Sequence, residues 1–148
     1  MDFLPQADAD QLLTMDKVAG SSDTYGFPAS GERLSLLLTS VDQRETFAVY
    51  VNRSSIALSK CTFNGRARSS IVLARLDLGG APHRNPDGVE IPCPHLHLYR
   101  EGFGDKWAYP VPAGAFTDLQ SLRITCDEFL AYFNVIQPPT IARDLITP

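Results

Sequence analysis

The sequence predicts an α+β fold, a twisted antiparallel sheet of about five to six strands with N-terminal and C-terminal helices packed on it. Three observations carry that prediction. Apolar residues alternate with polar ones at period two through the middle of the chain, the sign of half-buried strands. Stretches near both ends switch to helical spacing, with capping residues in front of them. The chain, 148 residues and 44% hydrophobic, is large enough to bury one core without covalent staples.

Taken in order, residues 9–19 read as a first helix, with Leu12, Leu13 and Met15 apolar, Asp8 as a cap and Gly20 as the stop. Residues 20–31 are loop by composition. In 33–40, Leu34, Leu36 and Leu38 share one face, and in 45–52 Phe47, Val49 and Val51 do the same; the short link between them suits a hairpin. Two further strands are expected at 55–60 and 67–77, joined around the turn dipeptide Asn64-Gly65. A turn-rich loop follows at 79–93, then a strand at 94–99, a turn at 102–105 and a strand at 106–111 ending before Pro112. Together 33–111 is mainly antiparallel sheet, and 117–135 is helical. Thr117 and Thr125 both stand three residues ahead of a Gln or Glu, the spacing of a capping box, and Phe129, Leu130 and Phe133 form an apolar stripe toward the core. Pro138-Pro139 stops that helix, leaving 138–148 as a tail. The whole chain, 1–148, reads as one domain.

Composition narrows the class of function. No apolar run reaches the roughly 18 residues of a membrane helix, and the acidic start lacks a secretory leader. Cys61, Cys93 and Cys126 are odd in number, widely spaced and without a CxxC pair, which suits reduced thiols in a cytoplasmic protein. The net charge of −4 is segregated: residues 1–52 carry three basic and eight acidic groups, whereas 53–106 carry eight basic and five acidic. A basic middle block can track phosphates even in an acidic chain.

Residues 94–102 hold the densest chemistry. On a strand, Leu96 and Leu98 face inward, and His95, His97 and Tyr99 project together from the other face. Arg100 and Glu101 follow at the strand end, and the preceding loop brings His83 and Arg84. Three readings fit. Two imidazoles on one strand face can ligate zinc, with His83, Cys93 or Glu101 as third ligand. They can instead serve as base and acid in metal-independent cleavage of RNA, which also needs cations against the charge developing on phosphorus. Or they hydrogen-bond on a solvated strand and do no chemistry. GxSxG, HExxH and Walker sequences are all missing.

The stretch HRNPDGVEIPCPHLHLYREGFGDKWAYP, residues 83–110, resembles a family of bacterial domains of unknown function often carried by mobile elements and prophages. The likeness runs from Arg53-Ser-Ser-Ile through Arg75-Leu-Asp-Leu-Gly-Gly to Phe129-Leu-Ala-Tyr-Phe-Asn, about two thirds of the chain. The five residues Pro94-His95-Leu96-His97-Leu98 are also similar to small toxin-like domains with a Pro-His-x-His strand beside an antitoxin partner. These resemblances imply a small bacterial or phage protein acting on RNA or on a host defence or growth system.

The expectation is therefore a toxin-like, metal-independent ribonuclease or RNA-engaging domain, with His95, His97 and Arg100 catalytic. His83, Arg84, Tyr99, Lys106, Arg66 and Arg68 would bind substrate. No cofactor is expected, zinc on His95 and His97 being the minority alternative. Its partners would be RNA or a host or antitoxin protein, with no membrane, and a homo-oligomer is compatible. The alternative is a phage or mobile-element inhibitor of host defence that works by protein–protein binding.

Overall fold

A computed structural model describes residues 3–142. In chain order the elements are α1 (Gln6–Thr14), β1 (Lys17–Ala19), β2 (Thr24–Gly26), β3 (Arg33–Ser40), β4 (Thr46–Arg53), β5 (Cys61–Ala67), β6 (Ile71–Leu78), β7 (His83–Arg84), β8 (Glu90–Ile91), β9 (His95–Leu98), β10 (Ala108–Pro110), α2 (Leu122–Tyr132), β11 (Val135–Gln137) and β12 (Thr140–Ala142). Eight strands form one sheet in the order β10-β9-β6-β5-β4-β3-β1-β11. It is mixed, because β1 and β11 run parallel while its other neighbours are antiparallel. Two short pairs, β2 with β12 and β7 with β8, lie outside it.

The expected α+β class is corrected by this architecture. Strands take 40% of the described residues and helices 14%, so the fold is mostly β, with an eight-stranded mixed sheet and only two helices among those residues. The physical reason lies in three-residue strands such as β1, β2 and β11. They are too short to show a period and exist only because a distant strand pairs with them.

Alternation splits the sheet into two unlike faces. Leu34, Leu36, Leu38, Phe47, Val49, Val51, Phe63, Leu76 and Leu96 are buried in one apolar cluster with Ala9 and Leu12 of α1 and Phe129 and Phe133 of α2. Both helices therefore cover the same side. Each buried aromatic or leucine contributes about 1.5–3 kcal/mol relative to exposure. Helix α2 starts at Ser121, whose hydroxyl accepts from the Ile124 amide, and not at Thr125, whose hydroxyl donates back to the Asp118 and Ser121 carbonyls. Thr117 is held instead by the Glu128 carboxylate.

Three boundaries differ for identifiable reasons. The first helix ends at Thr14, since Lys17–Ala19 pairs with β3. The Lys17 ammonium is buried between the helix ends and donates to the carbonyls of Leu13 (2.8 Å), Met15 (2.9 Å) and Phe133 (2.8 Å). It also lies 4.8 and 4.3 Å from the ring centres of Phe47 and Phe133. Gly65, expected in a turn, sits inside β5 against Phe133, and a Cβ there would lie 2.8 Å from the ring. The β5–β6 turn falls at Arg68–Ser69, both with positive φ. Finally, the tail adds β12 beside β2; residues 143–148 lie outside the described part.

At the other sheet edge, the buried Asn85 side chain bonds β10 as a neighbouring strand would. Its Nδ2 donates to the Ala108 carbonyl at 2.9 Å, and its Oδ1 accepts from the Ala108 amide at 2.8 Å. That contact seats the 79–93 loop over the polar face of β6 and β9.

Candidate functional site

The face opposite the helices is mainly polar, with Leu37 of β3 exposed on it, and register determines which residues meet there. Across β6 and β9, Arg75 lies opposite His97 and Asp77 opposite His95. Continuing through β5 and β4, Arg75 pairs with Asn64 and then Tyr50, and Asp77 with Thr62 and then Asn52. The face therefore has two parts: a covered cluster at β6–β9, and an open stretch over β3–β5.

In the covered part, His83 of β7 completes a group of three imidazoles. Ring centres lie 4.9 Å apart for His95 and His97, 4.6 Å for His83 and His97, and 6.0 Å for His83 and His95. His95 and His97 are only 2% and 1% exposed. Each has its Nδ1 on a backbone carbonyl: Ile91 at 3.2 Å for His95, and Asp105 at 2.8 Å for His97. A carbonyl only accepts, so these contacts place a proton on Nδ1; both Nε2 atoms face Asp77, whose carboxylate is an acceptor as well. The His95 and His97 Nε2 atoms stand 3.3 and 3.2 Å from the same Asp77 Oδ2. His83 Nε2 donates to the Lys106 carbonyl at 2.7 Å.

Arg75 supplies the cation of the cluster. Its Nε and Nη2 donate to the two Asp77 oxygens at 2.9 and 3.0 Å, its Nη1 reaches Asp105 at 2.9 Å, and Nη2 is 3.0 Å from His97 Nε2. Burial opposes the Arg75 charge, but Asp77 and Asp105 hold its proton more firmly than usual. Burial likewise pushes the Asp77 carboxyl up, and the contacts from His97 and Arg75 more than reverse it, leaving the group well below the usual carboxylate range.

Over β3–β5 the face is open. Arg33, Ser35 and Asn52 are exposed, and Tyr50, Thr62 and Arg66 are half-buried. Tyr50 stands between two guanidinium groups, Arg33 at 4.5 Å and Arg66 at 5.1 Å from its ring centre. Among the described residues, no carboxylate projects from this face of β3, β4 or β5.

A model of the family of unknown function DUF6978 matches residues 4–135, which include every residue named on this face. The chain belongs to the DUF6978 family. This agrees with the resemblance read from residues 83–110 to a family without an assigned activity. Against curated proteins and against solved structures, the chain has no significant match. No helix among the described residues is long and apolar enough to cross a membrane.

In this DUF6978 chain the sequence-chosen residues separate into groups. His83, His95 and His97 come together. Arg66 joins the open face. Arg84, beside His83, and Lys106 are exposed. Tyr99 leaves the histidines, because β9 ends at Leu98; it packs toward α1 and donates to the Leu4 carbonyl at 2.7 Å. Arg100 lies 4.2 Å from the Trp107 ring centre, and Arg68 pairs with Glu45 at 2.6 Å. Glu101 accepts from the Gln6 amide at α1, away from the imidazoles, and Cys93 Sγ contacts the Asp77 carbonyl at 3.5 Å. Sequence reasoning missed Arg75, Asp77, Arg33 and Tyr50. The polar alternation of Arg75-Leu-Asp-Leu was the available signal, since it mirrors His95-Leu-His-Leu on a neighbouring strand.

Proposed function

We propose that this protein is an RNA-engaging domain that binds single-stranded RNA on the open face of β3–β5. The observation that carries the reading is Tyr50 between Arg33 and Arg66 on an exposed polar sheet face. Unpaired bases stack on aromatic rings and on guanidinium planes, while the cations meet phosphates. Ser35, Asn52 and Thr62 around them offer donors and acceptors for base edges. Arg66 was among the residues expected to bind substrate, and it belongs to the basic middle block. Cleavage is the less favoured half of the expectation. A general acid or base must reach its proton, and His95 and His97 are almost wholly buried beneath the 79–93 loop. They brace the end of the face.

The test is fluorescence anisotropy with a labelled single-stranded RNA of mixed sequence. Wild type should bind with an affinity that falls as salt rises. Tyr50→Ala should weaken binding by about 5- to 150-fold, the equivalent of one lost stack at about 1–3 kcal/mol. The double variant Arg33→Ala, Arg66→Ala should reduce the slope of log affinity against log salt by about 1.4. These side chains lie on the solvent face, so the variants should keep the fold, which circular dichroism checks. No binding by wild type at about 100 μM in low salt, the weak end of nonspecific nucleic-acid affinity, overturns the reading. So does a stable complex with a host protein through this face that RNA does not compete.

A further inference from the structure

We propose that Asp77, His95 and His97 form a binding site for a borderline divalent cation of the zinc class. The site is separate from the RNA reading and does not rest on it. Three features point to it. The first is the donor set, two imidazoles and one carboxylate, whose ligand atoms all lie within 4.8 Å of one another. Such a set suits zinc and its neighbours and holds too few oxygens for calcium or magnesium.

The second feature is orientation. Metal-ligating histidines ordinarily donate their remote N–H to a carbonyl or carboxylate, which aims the other nitrogen at the ion. Ile91 and Asp105 make those contacts for His95 and His97, and both Nε2 atoms converge on Asp77 Oδ2. The Asp77 carboxylate that His95 Nε2 meets at 3.3 Å only accepts, so a cation bound between them would take the place of a shared proton. The third feature is spacing. Zinc bonds of about 2.0–2.1 Å in a tetrahedron put neighbouring ligand atoms roughly 3.3 Å apart. The observed separations from Asp77 Oδ2 are 3.3 and 3.2 Å, while the set as a whole spans up to 4.8 Å, so the two imidazoles would draw together around a bound ion.

Arg75 is the competitor. Its Nη2 occupies the space beside His97 Nε2 and Asp77 Oδ2 at 3.0 Å from each. A bound ion takes these two atoms over, while Arg75 keeps Asp77 Oδ1 through Nε and Asp105 through Nη1. Water would complete the coordination. Because both imidazoles are buried, the ion would pin β6, β9 and the 79–93 loop together and leave little room for substrate, which fits a structural site.

The test uses the full chain, stripped with a chelator and dialysed, without RNA. Titration with zinc alone should show one ion per chain, and cobalt should give the visible absorption of a tetrahedral site. Magnesium should give neither. His95→Gln and Asp77→Asn should each weaken zinc by about 100-fold or more, at least as much as the loss of an outer partner of a ligand costs. Should those variants misfold, ring nitrogen resonances of the wild type decide: zinc should shift the Nε2 signals of His95 and His97. Absence of stoichiometric binding by wild type, or binding that leaves those two signals in place, overturns the proposal.

Discussion

Replacing Lys17 with methionine keeps most of the side chain's length and removes its charge and its three donors. Burial pushes the Lys17 ammonium down from 10.5 to about 8, with Asp16 pulling the other way. Removing the amine orphans the buried Phe133 carbonyl, at about 1–3 kcal/mol, and two half-buried carbonyls at about 1 kcal/mol each. It also ends the contact with two aromatic faces, worth about 1–2 kcal/mol. In return the variant escapes the cost of burying a charge, which the fall from 10.5 to about 8 sets near 3 kcal/mol. The balance is a net loss of about 1–4 kcal/mol near pH 7. The pH dependence gives the sharper test. Between about 8 and 10.5 the unfolded chain binds more protons at Lys17 than the folded one, so stability rises with pH across that window. Other groups titrate alike in both proteins. The stability gap between wild type and Lys17→Met should therefore widen by about 2–3 kcal/mol from pH 7 to about pH 10. Urea unfolding followed by circular dichroism at both pH values measures it. A gap that stays constant would refute the reasoning, and would mean that the carbonyls and rings hold the proton as firmly as water does.

Two further outcomes follow from packing and burial. Gly65→Ala puts a methyl 2.8 Å from the Phe133 ring, which is locked between Phe47 and Phe129; a loss of about 1–3 kcal/mol is expected in the urea midpoint, and an unchanged midpoint contradicts the packing described. Burial pushes the Cys61 and Cys126 thiols up to about 11 and about 12, while Cys93 is half-buried. Iodoacetamide near pH 8 should therefore label Cys93 first in the folded protein, as mass spectrometry of peptides would show, and equal labelling of all three would count against it.

What could be read from the residues was local. The alternations in β3 and β4 mark buried faces directly, and His95 and His97 share a face because their spacing requires it. Their partners could not be read, since Asp77 reaches His95 only through the register of β6 on β9. Tyr50 and its two arginines come from three strands for the same reason. Local signals also misled where tertiary contacts outweighed them. Asn64-Gly65 has turn chemistry, yet Gly65 serves a strand that needs room for Phe133. The expected helix over 9–19 ran through Lys17, but that side chain closes the ends of both helices from a strand. The same blindness to long-range pairing hid three-residue strands such as β1 and β11 and so led to an α+β expectation for a mostly β molecule.

The Asn85 amide has a consequence for self-association. An exposed sheet edge offers unpaired amides on which another chain can grow. Along β10 the outward-facing residues are Ala108, whose N–H and C=O are both taken by Asn85, and Pro110, which has no N–H. That margin therefore presents no free donor to an incoming strand. One loop side chain thus does what a further strand would do, and it seals this end of the molecule against fibril-like stacking while leaving the sheet at eight strands.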